Sequence, residues 1–302
     1  MRLLCFYCLM LLFSTHAFSA PRANDAFYRI AIIDRFFPPV HSFENEEDKS
    51  HHQWLYGIVD IDQDNQKEPY YHGDIVQLIA SHPTFIFMRY PIAGVKKPLE
   101  EILDNLHNLS ARMHKLPVKA LVLSWEASTL ISAFETPLQM KHAHRYKNSI
   151  REWGESDTFW RVTYQIILAL ESLTAQGVQV FTIAGNSGKA TINTFSFAEG
   201  VTTVGASERE LDYFIANNVF VDRKEQAAYF FLRRDDSEGK PLGYDVNGDG
   251  CYDIPTSRLS GLNNSQPLPA TLWPPIKGSS FAAPMAMKKA LIGPTSHNQC
   301  SN

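Results

Sequence analysis

Apolar residues along the chain fall into two alternating signatures. Tyr28 to Ile33, Thr84 to Met88, Ala120 to Leu123, Val178 to Ile183 and Val201 to Val204 are short, nearly continuous apolar runs, the pattern of strands buried on both faces. Between them apolar residues recur at helical spacing. Ile75, Val76, Leu78 and Ile79 follow His72-Gly73, and Pro83 ends that stretch. Leu99, Ile102, Leu103, Leu106, Leu109 and Met113 predict a second helix. Val162, Ile166, Ile167, Leu170 and Leu173 predict a third, capped by Ser156 or Asp157 and closed by Gly177. Strands alternating with helices predict an α/β fold: one domain, doubly wound, with a mostly parallel sheet, right-handed crossovers and helices on both faces. Ligands of such sheets sit beyond the carboxyl ends of the strands, and Asp34 and Asn186 each lie just past one. Pro38 and Pro39 force a turn or extended loop, His41 to Gln53 read as a solvated insertion, and Tyr56 to Asp60 as a further strand.

The N-terminus changes the picture of where the chain works. Arg2 precedes an apolar run from Leu3 to Phe13, followed by small and polar residues to Ala20. That is the layout of a signal peptide over 1–20, too short to span a bilayer, and it predicts a secreted or periplasmic protein. Cleavage after Ala17 puts small residues, Thr15 and Ala17, at both recognition positions, whereas cleavage after Ala20 leaves Phe18 in one of them and Pro21 just beyond. No second long apolar run follows, so no integral membrane segment is expected in the mature chain. Cys5 and Cys8 leave with the signal, and Cys251 and Cys300 remain as an even pair for which an oxidising compartment predicts a disulfide. Apolar and charged fractions of 44% and 20% are those of a globular protein and do not separate enzyme from binder. A net charge of −4 gives no nucleic-acid footprint.

Four segments carry candidate chemistry: Ile32-Ile33-Asp34, His72-Gly73-Asp74-Ile75-Val76, Ala184-Gly185-Asn186-Ser187-Gly188 and Gly278-Ser279-Ser280-Phe281-Ala282-Ala283-Pro284. Read together, and in that order, they resemble the subtilisin (S8, subtilase) family of serine peptidases. The last segment matches the family's G-T-S-x-A-x-P except for a Thr-to-Ser change, and Asp, His, Ser is the family's order along the chain. Val201 to Ala206 also matches the family's strand after the Asn segment. The resemblance covers nearly the whole of 24–302 and implies a subtilase-like peptidase domain, shortened after the nucleophile helix. It implies Ser280 as nucleophile, His72 as its base and then acid, and Asp34 as the group that orients the imidazole. Asn186 and the Ser280 backbone N–H would supply the oxyanion hole, beside a helix beginning at Ser280.

Several positions depart from the family. Arg35 and Phe36 follow Asp34 where the family has Ser/Thr-Gly, which alters the turn that hydrogen-bonds the aspartate. Ile75 replaces a second His, at a position not needed for proton transfer. The strand Leu121 to Glu126 aligns with the segment that pairs with substrate backbone, so Ser124, Trp125, Glu126, Ala184 and Gly185 are expected to bind substrate. Glu126 stands where the family has Gly: its carboxylate favours basic P1 side chains, blocks the pocket, or lies exposed in a loop. There is no room for a domain-sized propeptide between signal and first strand, and only Phe281 to Asn302 follow the nucleophile.

Asp245-Val246-Asn247-Gly248-Asp249-Gly250-Cys251-Tyr252-Asp253 has calcium-loop spacing. Side-chain oxygens of Asp245, Asn247, Asp249 and Asp253 with the Cys251 carbonyl would hold a structural calcium ion, although Thr256 stands where the loop normally has Glu. These readings predict a monomeric, exported serine endopeptidase acting on polypeptides through an acyl-enzyme, with no cofactor in catalysis. The alternative is a catalytically silent subtilase-fold binding protein stabilised by calcium. A nucleotide-binding α/β protein is excluded by the absence of a glycine-rich phosphate loop after the first strand.

Overall fold

The computed structural model describes residues 27–36, 70–259, 270 and 275–293. Its centre is a six-stranded sheet of β1 (Tyr28–Asp34), β2 (Phe85–Pro91), β3 (Ala120–Leu123), β5 (Gln179–Ile183), β7 (Val201–Ala206) and β8 (Arg223–Glu225). The order is β2-β1-β3-β5-β7-β8, and every neighbouring pair is parallel. The doubly wound α/β sheet expected from the apolar runs is therefore present.

Alternate residues of each strand feed two separate cores, as the two-residue pleat requires. Ile30, Ile32, Val122 and Ile183 face a layer with α1 (His72–Ala80), which contributes Ile75, Val76 and Ile79. Ala31, Ile33, Leu121, Leu123 and Val180 face the opposite layer. There α2 (Pro98–Arg112) presents Leu99, Ile102, Leu106 and Leu109, while α3 (Ala143–Trp153) adds Tyr146 and Ile150. The long α4 (Thr158–Ala175) completes that layer with Val162, Ile166, Ile167, Leu170 and Leu173. Its N-terminus is capped by the Asp157 carboxylate, which accepts the Phe159 N–H at 2.7 Å. Gly177, at φ +86°, turns the chain into β5. The last helix, α5 (Ser279–Ile292), lies in the same layer as α1 and buries Phe281, Ala282, Ala283, Ala286 and Met287.

Smaller sheets surround this frame. Two-residue or three-residue ladders join β4 (Ser128–Leu130) to β6 (Thr191–Asn193) and β9 (Ala228–Tyr229) to β13 (Ile276–Lys277). An antiparallel sheet of β10 (Leu232–Asp235), β11 (Pro241–Asp245) and β12 (Ile254–Pro255) holds the candidate calcium loop between its last two strands. No helix of the described residues is long and apolar enough to cross a membrane.

Two expected boundaries move. Asp34 is the last residue of β1 rather than the first beyond it, because its carbonyl accepts the Ile92 N–H at 2.8 Å and keeps the ladder going. The strand expected over Leu121 to Glu126 stops at Leu123. Beyond it the Ser124 hydroxyl and the Glu126 carboxylate take partners outside the sheet. The signal sequence, the insertion at 41–53, the strand at 56–60 and Cys300 lie outside the described residues.

Candidate active site

The four family-like segments meet where the central strands end. Asp34 closes β1, His72 opens α1, Asn186 follows β5 by three residues and Ser280 lies in the first turn of α5. Asp34 is fully buried, and His72 and Ser280 are nearly so. Both Asp34 carboxylate oxygens lie within hydrogen-bonding distance of His72 Nδ1, at 2.9 and 2.8 Å. A buried carboxylate in that position fixes the ring orientation and leaves Nε2 as the other nitrogen of the imidazole. The Arg35-Phe36 turn does not disturb this arrangement, because the Arg35 backbone N–H itself donates to Asp34 Oδ1 at 2.7 Å. The buried Arg35 guanidinium lies 5.4 Å from the Trp125 ring centre.

Gly73 is what lets α1 start so close to β1. Its N–H donates to the Arg35 carbonyl at 2.8 Å. A Cβ on residue 73 would stand 2.7 Å from that carbonyl oxygen, 2.8 Å from Asp34 Cβ and 2.8 Å from the Phe36 ring. Two of those neighbours are backbone-fixed, so nothing flexible can yield. Gly73→Ala is therefore expected to destabilise the protein by about 1–3 kcal/mol, as overpacking does. It should also separate His72 from Asp34, and a lowered Tm together with a weakened His72 Nδ1 hydrogen-bond signal in NMR would register both effects.

Asn186 is anchored through its amide oxygen. Oδ1 accepts the Ser279 N–H at 2.9 Å and the Ser279 hydroxyl at 2.9 Å. An amide whose oxygen is held in this way turns its Nδ2 donors the other way. The space beside Gly278 locates them: a Cβ on residue 278 would lie 3.1 Å from Ser280 Oγ and 3.4 Å from Asn186 Nδ2. The nucleophile candidate and the amide donor therefore border one small gap. The Ser280 carbonyl accepts the Ser124 hydroxyl at 3.0 Å, and the Phe281 ring lies 5.2 Å from that of His72. Among the described residues no hydrogen bond joins Ser280 Oγ to His72.

The remaining expected substrate-binding residues border the same region. Ala184 is buried, and its N–H donates to Val204 in the sheet. Gly185 adopts φ +105°, a conformation glycine reaches without strain. Glu126 is half-buried, with its carboxylate folded onto the Asn186 turn. Trp125 and Glu126 line one side of a cavity of about 310 Å3 whose other walls include Leu99, Phe159 and Val162. Ser279 and Gly278 were missed as functional residues by sequence reasoning. Their signal was present, since they are the two residues just before Ser280 in the most specific of the four segments.

The candidate calcium loop lies elsewhere, between the antiparallel sheet and the far ends of α1 and α5. Asp245 is fully buried and accepts N–H groups of Gly248 and Gly250 together with the Arg234 guanidinium. Asn247 donates to the Leu78 carbonyl and the Ser81 hydroxyl. Asp253 is pushed up to about 7 by burial, with the Asp249 and Asp245 carboxylates adding to the rise. Among the described residues no three His, Cys, Asp or Glu side chains are arranged to hold a metal ion.

No protein-family model matches the sequence, and no curated protein matches it. Solved structures similar to this one include a prenylagaramide maturation protease, PagA, at 14% identity and a TM-score of 0.42, covering 88% of this chain and 74% of that one. A patellamide maturation protease, PatG, gives 10% identity and a TM-score of 0.45 over 87% of this chain and 74% of that one. An epidermin leader peptide processing serine protease, EpiP, from Staphylococcus aureus gives 14% and 0.45 over 87% and 64%. At such identities and TM-scores the functional reading rests on the geometry of the site itself.

Proposed function

We propose that the chain is a subtilisin-like serine peptidase that cleaves polypeptides as an endopeptidase through a seryl acyl-enzyme. One observation carries this reading: the Asp34–His72 pair, Ser280 and the Ser279-anchored amide of Asn186 converge at the carboxyl ends of the central parallel strands, where β3 separates β1 from β5. Ser280 Oγ attacks the scissile carbonyl as His72 takes its proton. The carbonyl oxygen becomes an oxyanion that accepts hydrogen bonds from Asn186 Nδ2 and the Ser280 N–H. Collapse expels the amine, which receives the proton from His72, and water then repeats the sequence to release the acid. Catalytic hydrogen bonds often tighten only when substrate binds, so a missing Ser280–His72 contact is compatible with this cycle. That missing contact is also what favours the second reading, a catalytically silent binding protein of the same fold. Labelling the mature protein with a fluorophosphonate separates them: the peptidase reacts at Ser280 and the silent protein does not.

The finer parts of the reading follow from the sequence. Export rests on the signal-like segment 1–20, and N-terminal sequencing of the exported protein tests it. A Cys251–Cys300 disulfide suits an oxidising compartment. Action as a monomer on polypeptides, without nucleic acid, completes the proposal.

Calcium is kept as a separate proposal, on loop spacing alone, with Asp245, Asn247, Asp249, the Cys251 carbonyl and Asp253 as ligands. Binding would have to displace Arg234 from Asp245. The expected outcome is a higher Tm in calcium than in chelator, by about 2.7 kcal/mol of stability at a hundredfold excess over the dissociation constant. Joint Asp245→Ala and Asp249→Ala substitution should remove the difference. Superimposable melting curves for the wild type would eliminate the site and leave Arg234 as the resident counter-charge.

A further inference from the structure

Asn186 sits on a turn gripped from two sides. Ser279 holds its side-chain oxygen, as described above. On the other side Glu126 Oε2 accepts the Asn186 backbone N–H at 2.9 Å, and Glu126 Oε1 accepts the Ser187 hydroxyl at 3.2 Å. The Ser128 hydroxyl donates to Glu126 Oε2 at 2.7 Å and fixes the carboxylate in turn. This platform is itself tied down: the Ala127 N–H donates to Asn193 Oδ1 at 3.1 Å, and β4 pairs with β6 immediately after it. Gly185 makes the approach possible, since a Cβ on residue 185 would collide with Glu126 Oε2.

We infer that Glu126 is a positioning residue for the oxyanion donor: its carboxylate sets the Gly185–Ser187 turn and so aims the Asn186 amide at the reacting carbonyl. The inference rests on the peptidase reading above. Its physical core is the acceptor, not the charge. A carboxylate so near a developing oxyanion opposes it, whereas two lone pairs on a half-buried oxygen fixed by Ser128 satisfy the turn's N–H and hold its geometry. Both oxygens are occupied by donors of the protein itself, so neither reading of Glu126 as a P1-binding charge nor as an exposed loop residue describes what the side chain touches.

The test compares wild type, Glu126→Ala and Glu126→Gln, with active protein counted by fluorophosphonate titration. Glu126→Gln keeps an acceptor for the Asn186 N–H without the charge, and is expected to turn over a peptide substrate at least as fast as wild type. Glu126→Ala is expected to lose kcat by about tenfold to a hundredfold, the scale of a small misplacement of a catalytic donor. Its KM should stay within about threefold of wild type, as befits an interaction made in the transition state. Amide hydrogen exchange gives a readout that needs no turnover: the Asn186 N–H should exchange at least about tenfold faster in Glu126→Ala and at the wild-type rate in Glu126→Gln. Unchanged exchange in Glu126→Ala overturns the inference, as does a glutamine variant as slow as alanine or an effect on KM alone. A wild type that neither labels nor turns over removes the peptidase reading instead, and the exchange rates still decide whether Glu126 holds the turn.

Discussion

Ser280→Ala and His72→Ala are each expected to abolish fluorophosphonate labelling and to lower kcat on the order of a millionfold, with the double variant no worse than either single one. The equality of singles and double is the informative part. A hydroxyl without a base and a base without a hydroxyl fail in the same step, so their losses do not add. Neither substitution should unfold the protein. Ser280 Oγ makes no hydrogen bond among the described residues, so removing it leaves no unpaired partner. His72→Ala is harsher, because it leaves the fully buried Asp34 carboxylate with the Arg35 N–H as its one remaining partner among the described residues. His72→Gln, which can still donate toward Asp34, keeps the fold testable. Persistent labelling of Ser280→Ala would place the reactive group elsewhere and end the triad assignment. Labelling absent from the wild type as well would favour the silent binding protein.

The sequence made the frame legible wherever burial was two-sided and continuous. β3 over Ala120–Leu123 and the apolar stripe of α4 were read with their bounds nearly right, because strands buried on both faces and wide helical stripes have few alternatives. Shorter pieces were not legible. α3 fully buries Tyr146 and Ile150 amid charged residues, and the two-residue strands β9, β12 and β13 are fixed by long-range partners that no local pattern encodes. In the candidate site, the segments that meet were readable as motifs, and the orientations of their side chains were not. Arg35-Phe36 in place of Ser/Thr-Gly reads as an altered turn beside Asp34, whereas the Arg35 backbone N–H, which any residue but proline would offer there, supplies the hydrogen bond. For Glu126 the sequence left a P1-binding charge, a blocked pocket and an exposed loop residue open, and none of these contains the contacts of its two oxygens with the neighbouring turn and Ser128. At the loop from Asp245 to Asp253 the spacing was legible, whereas the Arg234 contact to Asp245 comes from eleven residues away on another strand.

Asn186→Ala is expected to lower kcat by about a hundredfold to a thousandfold, or roughly 2.7–4 kcal/mol of transition-state stabilisation, with KM little changed. In the proposed mechanism the amide is an effective donor because it is already oriented. Its oxygen is held by two Ser279 donors, so no reorganisation is needed when charge develops on the substrate oxygen. The same anchoring predicts a graded series. Ser279→Ala removes the hydroxyl donor and keeps the backbone N–H, so Asn186 loses one of two restraints and kcat should fall by about tenfold, short of the loss in Asn186→Ala. Asn186→Asp keeps the acceptor that Ser279 needs and replaces the donor with a negative charge, which should be at least as damaging as alanine. Single-turnover acylation rates measure these losses free of product release. If Asn186→Ala acylates at the wild-type rate, the oxyanion is stabilised by backbone N–H groups of α5 alone, and the gap between Gly278, Ser280 and Asn186 is not where the reacting carbonyl sits.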